Sequence, residues 1–395
     1  MPISRRSLIG AAGATAALAP AAKAQTKTKA AATASSDKVG FAVVGLGKLA
    51  LGQIIPGLKV AKNAKLVAVV SGHPDKAKRV AAENGLPADA IYGYDDYDRI
   101  AKDPRIQVVY IVLPNAMHAE HTLRAFKAGK HVLCEKPMAT SLDDAEAMIA
   151  AAKAAKRQLM IAYRCHYEPQ NLDIMRRLRS QSLGKPRLVN TTMGRQADLA
   201  DPFDAWRLDG VMSGGGALAD MGIYGVNAAR YLLNEEPVSV RAWAQTDRTD
   251  PRFKTTEDLI DWQFRFPSGV IANGSTSFNC APTMGYEVIC ERGRLVGDPA
   301  AFYGGNRLTV IQGGQPQPPL SLPPNDQFAR EMDWMADVVR GKAPMVSPGE
   351  EGLQDMRLMK AILDSVARDG ATISTDWGYR RAFDPAAVVD VPVRA

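Results

Sequence analysis

The sequence predicts an α/β domain on a parallel sheet, followed by an α+β domain with a large, mainly antiparallel open sheet. Two observations carry this expectation. From Lys38 to about residue 160, apolar runs of strand length alternate with helical patterns and show no polar alternation, as strands buried on both faces do. Beyond residue 160, strand-like runs follow one another, and 258–278 reads as a hairpin. A chain of 395 residues is long enough for two such cores.

The elements come in this order. KVGFAVVGLGKLALGQIIPGLK is a strand, a Gly-rich turn and a helix, and KLVAVVS is a second strand. DKAKRVAAENG is a helix closed by Gly85, and IQVVYIVLP a third strand. HAEHTLRAFKAGK is a helix with Gly129 as its C-terminal cap. HVLCEKP is a fourth strand, and SLDDAEAMIAAAKAAKRQ a helix with acids in its first turn. In the second part, helices over 168–182 and 216–232 precede strand-like runs at 238–246, 258–266, 269–278, 284–291 and 306–311. DLIDWQFRFPSGVIANGSTSF turns at Pro267-Ser268-Gly269. A Pro/Gly-rich loop at 312–325 leads to two last helices, near 326–340 and 349–368.

Residues 1–24 read as a targeting segment. Ser4-Arg5-Arg6-Ser7-Leu8-Ile9 is similar to a twin-arginine export signal, an Ala-rich apolar stretch follows, and Ala22-Lys23-Ala24 is a cleavage site. The competing reading is a plain Ala-rich tail. The stretch is too short and too rich in Gly and Ala to anchor the chain in a membrane. Export would place the protein in the periplasm. Residues 25–37 read as a flexible arm. The formal charge is +7, and Arg5, Arg6 and Lys23 carry three of those charges. The remainder is mildly basic without aromatic interleaving, which argues against a nucleic-acid partner. Cys134, Cys165, Cys280 and Cys290 have neither metal-ligand nor disulfide spacing, so four buried free thiols and no metal are expected.

Gly45-Leu46-Gly47-Lys48-Leu49-Ala50 is G-x-G-x-x-A between a strand and a helix, the Rossmann dinucleotide fingerprint. The first glycine makes the turn, and the second admits a pyrophosphate. The helix N-terminus then faces the phosphates. Where an NAD site carries an acid, after the second strand, this chain has Val70-Ser71-Gly72-His73, with Lys76 and Arg79 beyond. Ser71 and Lys76 suit the 2′-phosphate of NADP. The alternative is that Lys76 and Arg79 are ordinary solvated charges.

Glu135-Lys136-Pro137 puts a lysine at the carboxyl end of the fourth strand, where open parallel sheets bind ligands. Alone, a lysine at a strand end is more often a surface charge. In GGGALADMGIYGV, Asp220 and Tyr224 stand at i and i+4 on one helix face, after glycines that would let backbone approach a ligand.

Lys136, Asp220 and Tyr224 together resemble the glucose–fructose oxidoreductase/inositol dehydrogenase family. Leu113-Pro114-Asn115 with His118, Ala162-Tyr163-Arg164 and Trp206-Arg207 extend the resemblance over nearly the whole chain from Lys38. Many members have histidine at the position of Tyr224. Tyrosine there, Ser71 and the leader resemble the glucose–fructose (aldose) oxidoreductase branch.

The resemblance implies that Lys136, Asp220 and Tyr224 are catalytic, and that Lys136–Pro137 is a cis peptide. It implies cofactor contacts from Gly45, Leu46, Gly47, Lys48, Leu49, Ser71, Gly72, Lys76, Tyr94, Leu113, Pro114, Asn115, His118, Glu135, Lys136, Arg164, Trp206, Arg207 and Tyr303. Lys136, Arg164, Asp220, Tyr224 and Tyr303 would bind sugar. A homo-oligomer, dimer or tetramer, is expected. Chemically, Tyr224 would be the base for C1 oxidation, with the Lys136 ammonium favouring its phenolate. An exported enzyme would have to keep its NADP tightly bound and regenerate it with a second sugar, in a ping-pong cycle yielding a lactone and an alditol. The alternatives are an NADP-dependent aldose dehydrogenase with dissociable cofactor, a nicotinamide-dependent glycosidase, and a non-catalytic sugar- or NADP-binding protein.

Overall fold

The computed structural model describes residues 38–319 and 326–390. The expected signal (1–24) and arm (25–37) lie outside the described residues.

Six strands form a parallel sheet: β1 (Val39–Val44), β2 (Ala64–Val70), β3 (Ile91–Tyr92), β4 (Val108–Ile111), β5 (His131–Glu135) and β6 (Leu159–Ala162), in the order β3-β2-β1-β4-β5-β6. Every residue of β1 and β4 is buried, which is why these runs show no alternation. The sequence reading missed β3 and β6, which are too short to stand out from their surroundings. The expected domain boundary at 160/161 falls inside β6, whose pairing with β5 continues to Ala162.

Nine strands form the second sheet: β7 (Pro186–Gln196), β8 (Ser239–Gln245), β9 (Leu259–Arg265), β10 (Ile271–Ser277), β11 (Asn279–Cys290), β12 (Gly293–Gly297), β13 (Leu308–Gln312), β14 (Gln315–Pro316) and β15 (Ile373–Ser374). Their order is β14-β13-β12-β11-β7-β10-β9-β8-β15. The β7–β10 pair is parallel and the others antiparallel. The β9–β10 hairpin forms as expected, and β9 alternates exposed and buried side chains along its length. β7 lies between β11 and β10 but was invisible in the sequence. Asn190-Thr191-Thr192 interrupts its apolar pattern, and pairing on both sides holds it instead.

Helices Pro169–Arg179, Ile223–Leu233 and Gly349–Val366 pack on this sheet. Helix Gln327–Val339 returns to the first sheet. There the Asp333 carboxylate accepts backbone N–H bonds from Lys62, Asn63 and Ala64, just before and at the start of β2. Three charge-assisted bonds fix the last part of the chain against the first domain. Cys134, Cys165 and Cys290 are buried free thiols, whereas Cys280 is only half-buried. Among the described residues no helix is long and apolar enough to cross a membrane.

Candidate functional site

The turn after β1 is built for close approach. Gly45 has φ +94°, and a Cβ there would lie 2.3 Å from the Val112 carbonyl oxygen. Glycine alone fits both demands. At Gly47 a Cβ would meet nothing within 4 Å, so the backbone faces open space. Helical turns begin at Lys48 and run to Val60, with a π-helical segment at Ala50–Ile54. Their unpaired N–H groups open onto a cleft of about 950 Å³ lined from both sheets' domains.

Gly45, Leu46, Gly47, Lys48 and Leu49 line this cleft together with Ser71, Lys76, Tyr94, Leu113, Pro114 and Asn115. Glu135, Lys136, Arg164, Trp206, Arg207, Asp220, Tyr224 and Tyr303 line the same cleft. Two expected contacts do not. Gly72 packs beneath Tyr94, where a Cβ would lie 2.7 Å from the ring. His118 is fully buried, with ring nitrogens 2.8 Å from the carbonyl oxygens of Leu113 and Pro137. It ties the loop after β4 to the loop after β5, and burial pushes its pKa down to about 4.

The residues suit a dinucleotide with a 2′-phosphate. The open backbone at Gly47 and the following helix start suit a pyrophosphate. Ser71 and Lys76 line the cleft at the end of β2, and the short stretch Val70-Ser71-Gly72-His73 carries no carboxylate to repel a phosphate.

At the other end of the cleft, Lys136 is fixed by Asp220. The Lys136–Pro137 peptide is cis. Lys136 Nζ donates to the Asp220 backbone oxygen at 2.7 Å and lies 3.5 Å from its Oδ1. Arg207 Nε donates to Asp220 Oδ2 at 3.0 Å, and Arg195 Nη2 lies 3.7 Å from the same oxygen. Burial alone would raise the Asp220 carboxyl, but Arg207, Lys136 and Arg195 outweigh it and hold its pKa well below the usual range. The three cations thus favour the carboxylate form of Asp220.

Tyr224 departs from the expected arrangement. Its hydroxyl is contacted by Arg164, whose Nε donates to Tyr224 Oη at 3.2 Å. Lys136 Nζ instead lies over the ring face, 4.6 Å from its centre. Burial raises the phenol's pKa, and Arg164 offsets only part of that. The cation hydrogen-bonded to the phenol oxygen is thus Arg164, while Lys136 lies against the ring. Arg164 is held rigid: it also donates to the backbone oxygens of Ala301 (2.6 Å) and Phe302 (3.1 Å) and to Gln327 Oε1 (2.8 Å). Tyr303, 48% exposed, covers the Arg164 guanidinium at 4.8 Å.

The glycines before Asp220 do a different job from the one expected. Gly214, Gly215 and Gly216 all have positive φ, and Cβ atoms at the first and last would collide with Thr140 and Thr256. They make a tight packed turn and do not line the cleft. Leu218–Gly222 is a π-helical segment leading into helix Ile223–Leu233; Asp220 reaches the cleft from the segment and Tyr224 from the first turn of the helix. Sequence reasoning missed Arg195 at the end of β7, which also pairs with Asp204 through Nη1 and Nη2 at 2.8 and 2.6 Å. No signal marked it, because β7 itself was not recognised. It likewise missed Asp201, which binds Lys48 Nζ at 2.5 Å.

Residues 39–163 match the model of an oxidoreductase family with an NAD-binding Rossmann fold, and 172–296 match the GFO/IDH/MocA C-terminal domain. The chain is 30% identical to a D-xylose 1-dehydrogenase [NADP(+)] of Haloarcula marismortui, over 84% of this chain and 92% of that one. It is similar to the crystal structure of aldose-aldose oxidoreductase from Caulobacter crescentus complexed with glycerol. There the TM-score is 0.81 and the identity 40%, over 85% of this chain and 99% of that one. It is also similar to KijD10, a 3-ketoreductase from Actinomadura kijaniata in complex with NADP and TDP-benzene. That match has a TM-score of 0.72 and 25% identity, over 83% of this chain and 98% of that one.

Proposed function

The chain belongs to the GFO/IDH/MocA oxidoreductase family, and from that premise we propose that it is a periplasmic sugar oxidoreductase with tightly bound NADP(H). It oxidises an aldose at C1 to a lactone and passes the hydride to a second sugar, giving an alditol. The observation that carries this reading is one cleft that joins the dinucleotide turn at Gly45–Leu49 to Lys136, Asp220 and Tyr224. The similarity to an aldose-aldose oxidoreductase supports the two-sugar chemistry, and the leader at 1–24 supports export.

A nicotinamide supplies the hydride acceptor and donor. The chain's own residues hold the sugar and manage its proton. Asp220, anionic among three cations, accepts hydrogen bonds from sugar hydroxyls and keeps Lys136 in place. Lys136 offers its ammonium to the reacting oxygen. Tyr224 is a neutral phenol at rest and donates its proton in the reducing direction. In the oxidising direction Arg164 at Oη stabilises the phenolate that must accept a proton.

Steady-state kinetics with two sugars and no added NADP test the proposal. Parallel double-reciprocal lines are expected. A rate that depends on added NADP would favour a second reading, an aldose dehydrogenase with dissociable cofactor, which the D-xylose 1-dehydrogenase relative supports.

A further inference from the structure

Behind the catalytic wall, Tyr110 of β4 stands between two buried carboxyl groups. Its Oη lies 2.8 Å from Glu135 Oε1, at the end of β5, and 3.1 Å from Glu331 Oε2, on helix Gln327–Val339. Tyr110 and Glu331 are fully buried, and Glu135 is nearly so. A phenol has one proton and can donate to one carboxylate at a time. The other close contact needs a proton of its own, or it sets an ionised carboxylate against the phenol oxygen's lone pairs.

Two buried carboxylates here would also be poorly compensated. Glu135 has Lys136 and Arg164 nearby as countercharges. Glu331 has Arg164 alone, and its Oε1 has no hydrogen-bond partner among the described residues. The other titratable groups facing Glu331 are Glu135 and Tyr110 from the sheet, and Cys165 and Tyr167 from the turn after β6. None of these adds a positive charge. Ionising Glu331 would therefore leave a buried charge short of partners.

We infer that Glu331, Tyr110 and Glu135 form a buried proton store, with Glu331 as a carboxylic acid at neutral pH, connected through Tyr110 to the cleft beside Lys136. Burial raises the pKa of both glutamates, most strongly that of Glu331, in keeping with this geometry. The transfer balances. Glu331 Oε2–H gives its proton to Tyr110 Oη while Tyr110 gives its own to Glu135 Oε1. Glu331 becomes a carboxylate and Glu135 a carboxylic acid at the cleft wall. The role rests on the proposed two-sugar reaction: oxidising an alcohol releases one proton with each hydride, and reducing a carbonyl takes one back. A store inside the protein lets both halves run without exchange with bulk water. Tyr110 and Glu331 act through Glu135 and are positioning residues.

The test has two readouts on the intact protein. Infrared spectra at neutral pH are expected to contain the C=O band of a protonated carboxyl, lost in Glu331→Gln and shifted in Tyr110→Phe. A wild-type spectrum without that band overturns the store. The pH profile of the sugar-reducing half-reaction is the second readout. In both variants its alkaline limb should move to lower pH by roughly one unit or more. A band present in the wild type with unchanged profiles in the variants overturns the relay and leaves the pair structural. If the wild type transfers no hydride between sugars, the functional reading fails, while the infrared result still decides the store.

Discussion

Arg164 Nε donates to Tyr224 Oη at 3.2 Å, and the same guanidinium lies 4.8 Å from the centre of the Tyr224 ring. Lys136 Nζ lies 4.6 Å from the centre of the same ring. The acidity of the phenol is therefore set by a contest between burial, which raises its pKa, and Arg164, which lowers it.

Arg164→Lys keeps a charge but loses the planar fork that reaches Tyr224, Ala301, Phe302 and Gln327 together. With the contact at Oη gone, the phenolate is less favoured. The limb of the oxidation rate that rises with pH should move to higher pH, and the rate at neutral pH should fall about tenfold or more. A pH–rate profile of the aldose-oxidising half-reaction checks this.

Tyr224→Phe removes the hydroxyl and leaves the ring against Lys136 and Arg164. Turnover should fall by about 10²–10⁴-fold in both directions. Binding of NADP, followed by fluorescence titration, should be unchanged.

Asp220→Asn removes the anion shared by Lys136, Arg195 and Arg207. Leaving such charges short of a partner costs on the order of 3–5 kcal/mol when they are buried. The expected result is a lower Tm together with a raised KM for sugar, read by thermal unfolding and initial rates.

The legibility of this protein followed how local each constraint is. Gly45 could be read because one tight turn needs a residue without Cβ, and Lys136 because a strand end delivers it to the sheet's edge. Asp220 and Tyr224 gained meaning only together with Lys136. Gly214–Gly216 were misread as a ligand approach because their real partners, Thr140 and Thr256, are remote in the chain. Arg195 was hidden because β7 is defined by its neighbours β10 and β11 rather than by its own pattern. Arg164 was placed in the site, but its contact with Tyr224 Oη spans 60 positions and left no trace in spacing.

Ser71→Asp should weaken NADP binding about tenfold or more and shift preference towards NAD, because a carboxylate at the end of β2 repels a 2′-phosphate and suits a ribose hydroxyl. Competitive titration with the two cofactors checks it.

His166 is fully buried, with Nε2 3.1 Å from Asn227 Oδ1. Burial, with Arg381 next in effect, pushes its pKa down from 6.5 to about 3. The unfolded chain therefore takes up a proton on this residue before the folded one does. Its contribution is complete above about pH 6.5 and is lost as pH falls towards about 3, on the order of 5 kcal/mol in all. His166→Gln should flatten the fall of Tm with pH across that window.

A cofactor retained and shared between two sugars is tested most directly by the near-ultraviolet absorption spectrum of extensively dialysed protein, before and after adding glucose, with no NADP supplied. The reduced-nicotinamide band should appear at about one equivalent per chain, and a second sugar should bleach it. No band with any aldose, and activity only after NADP is added, would contradict a retained cofactor shared between two sugars.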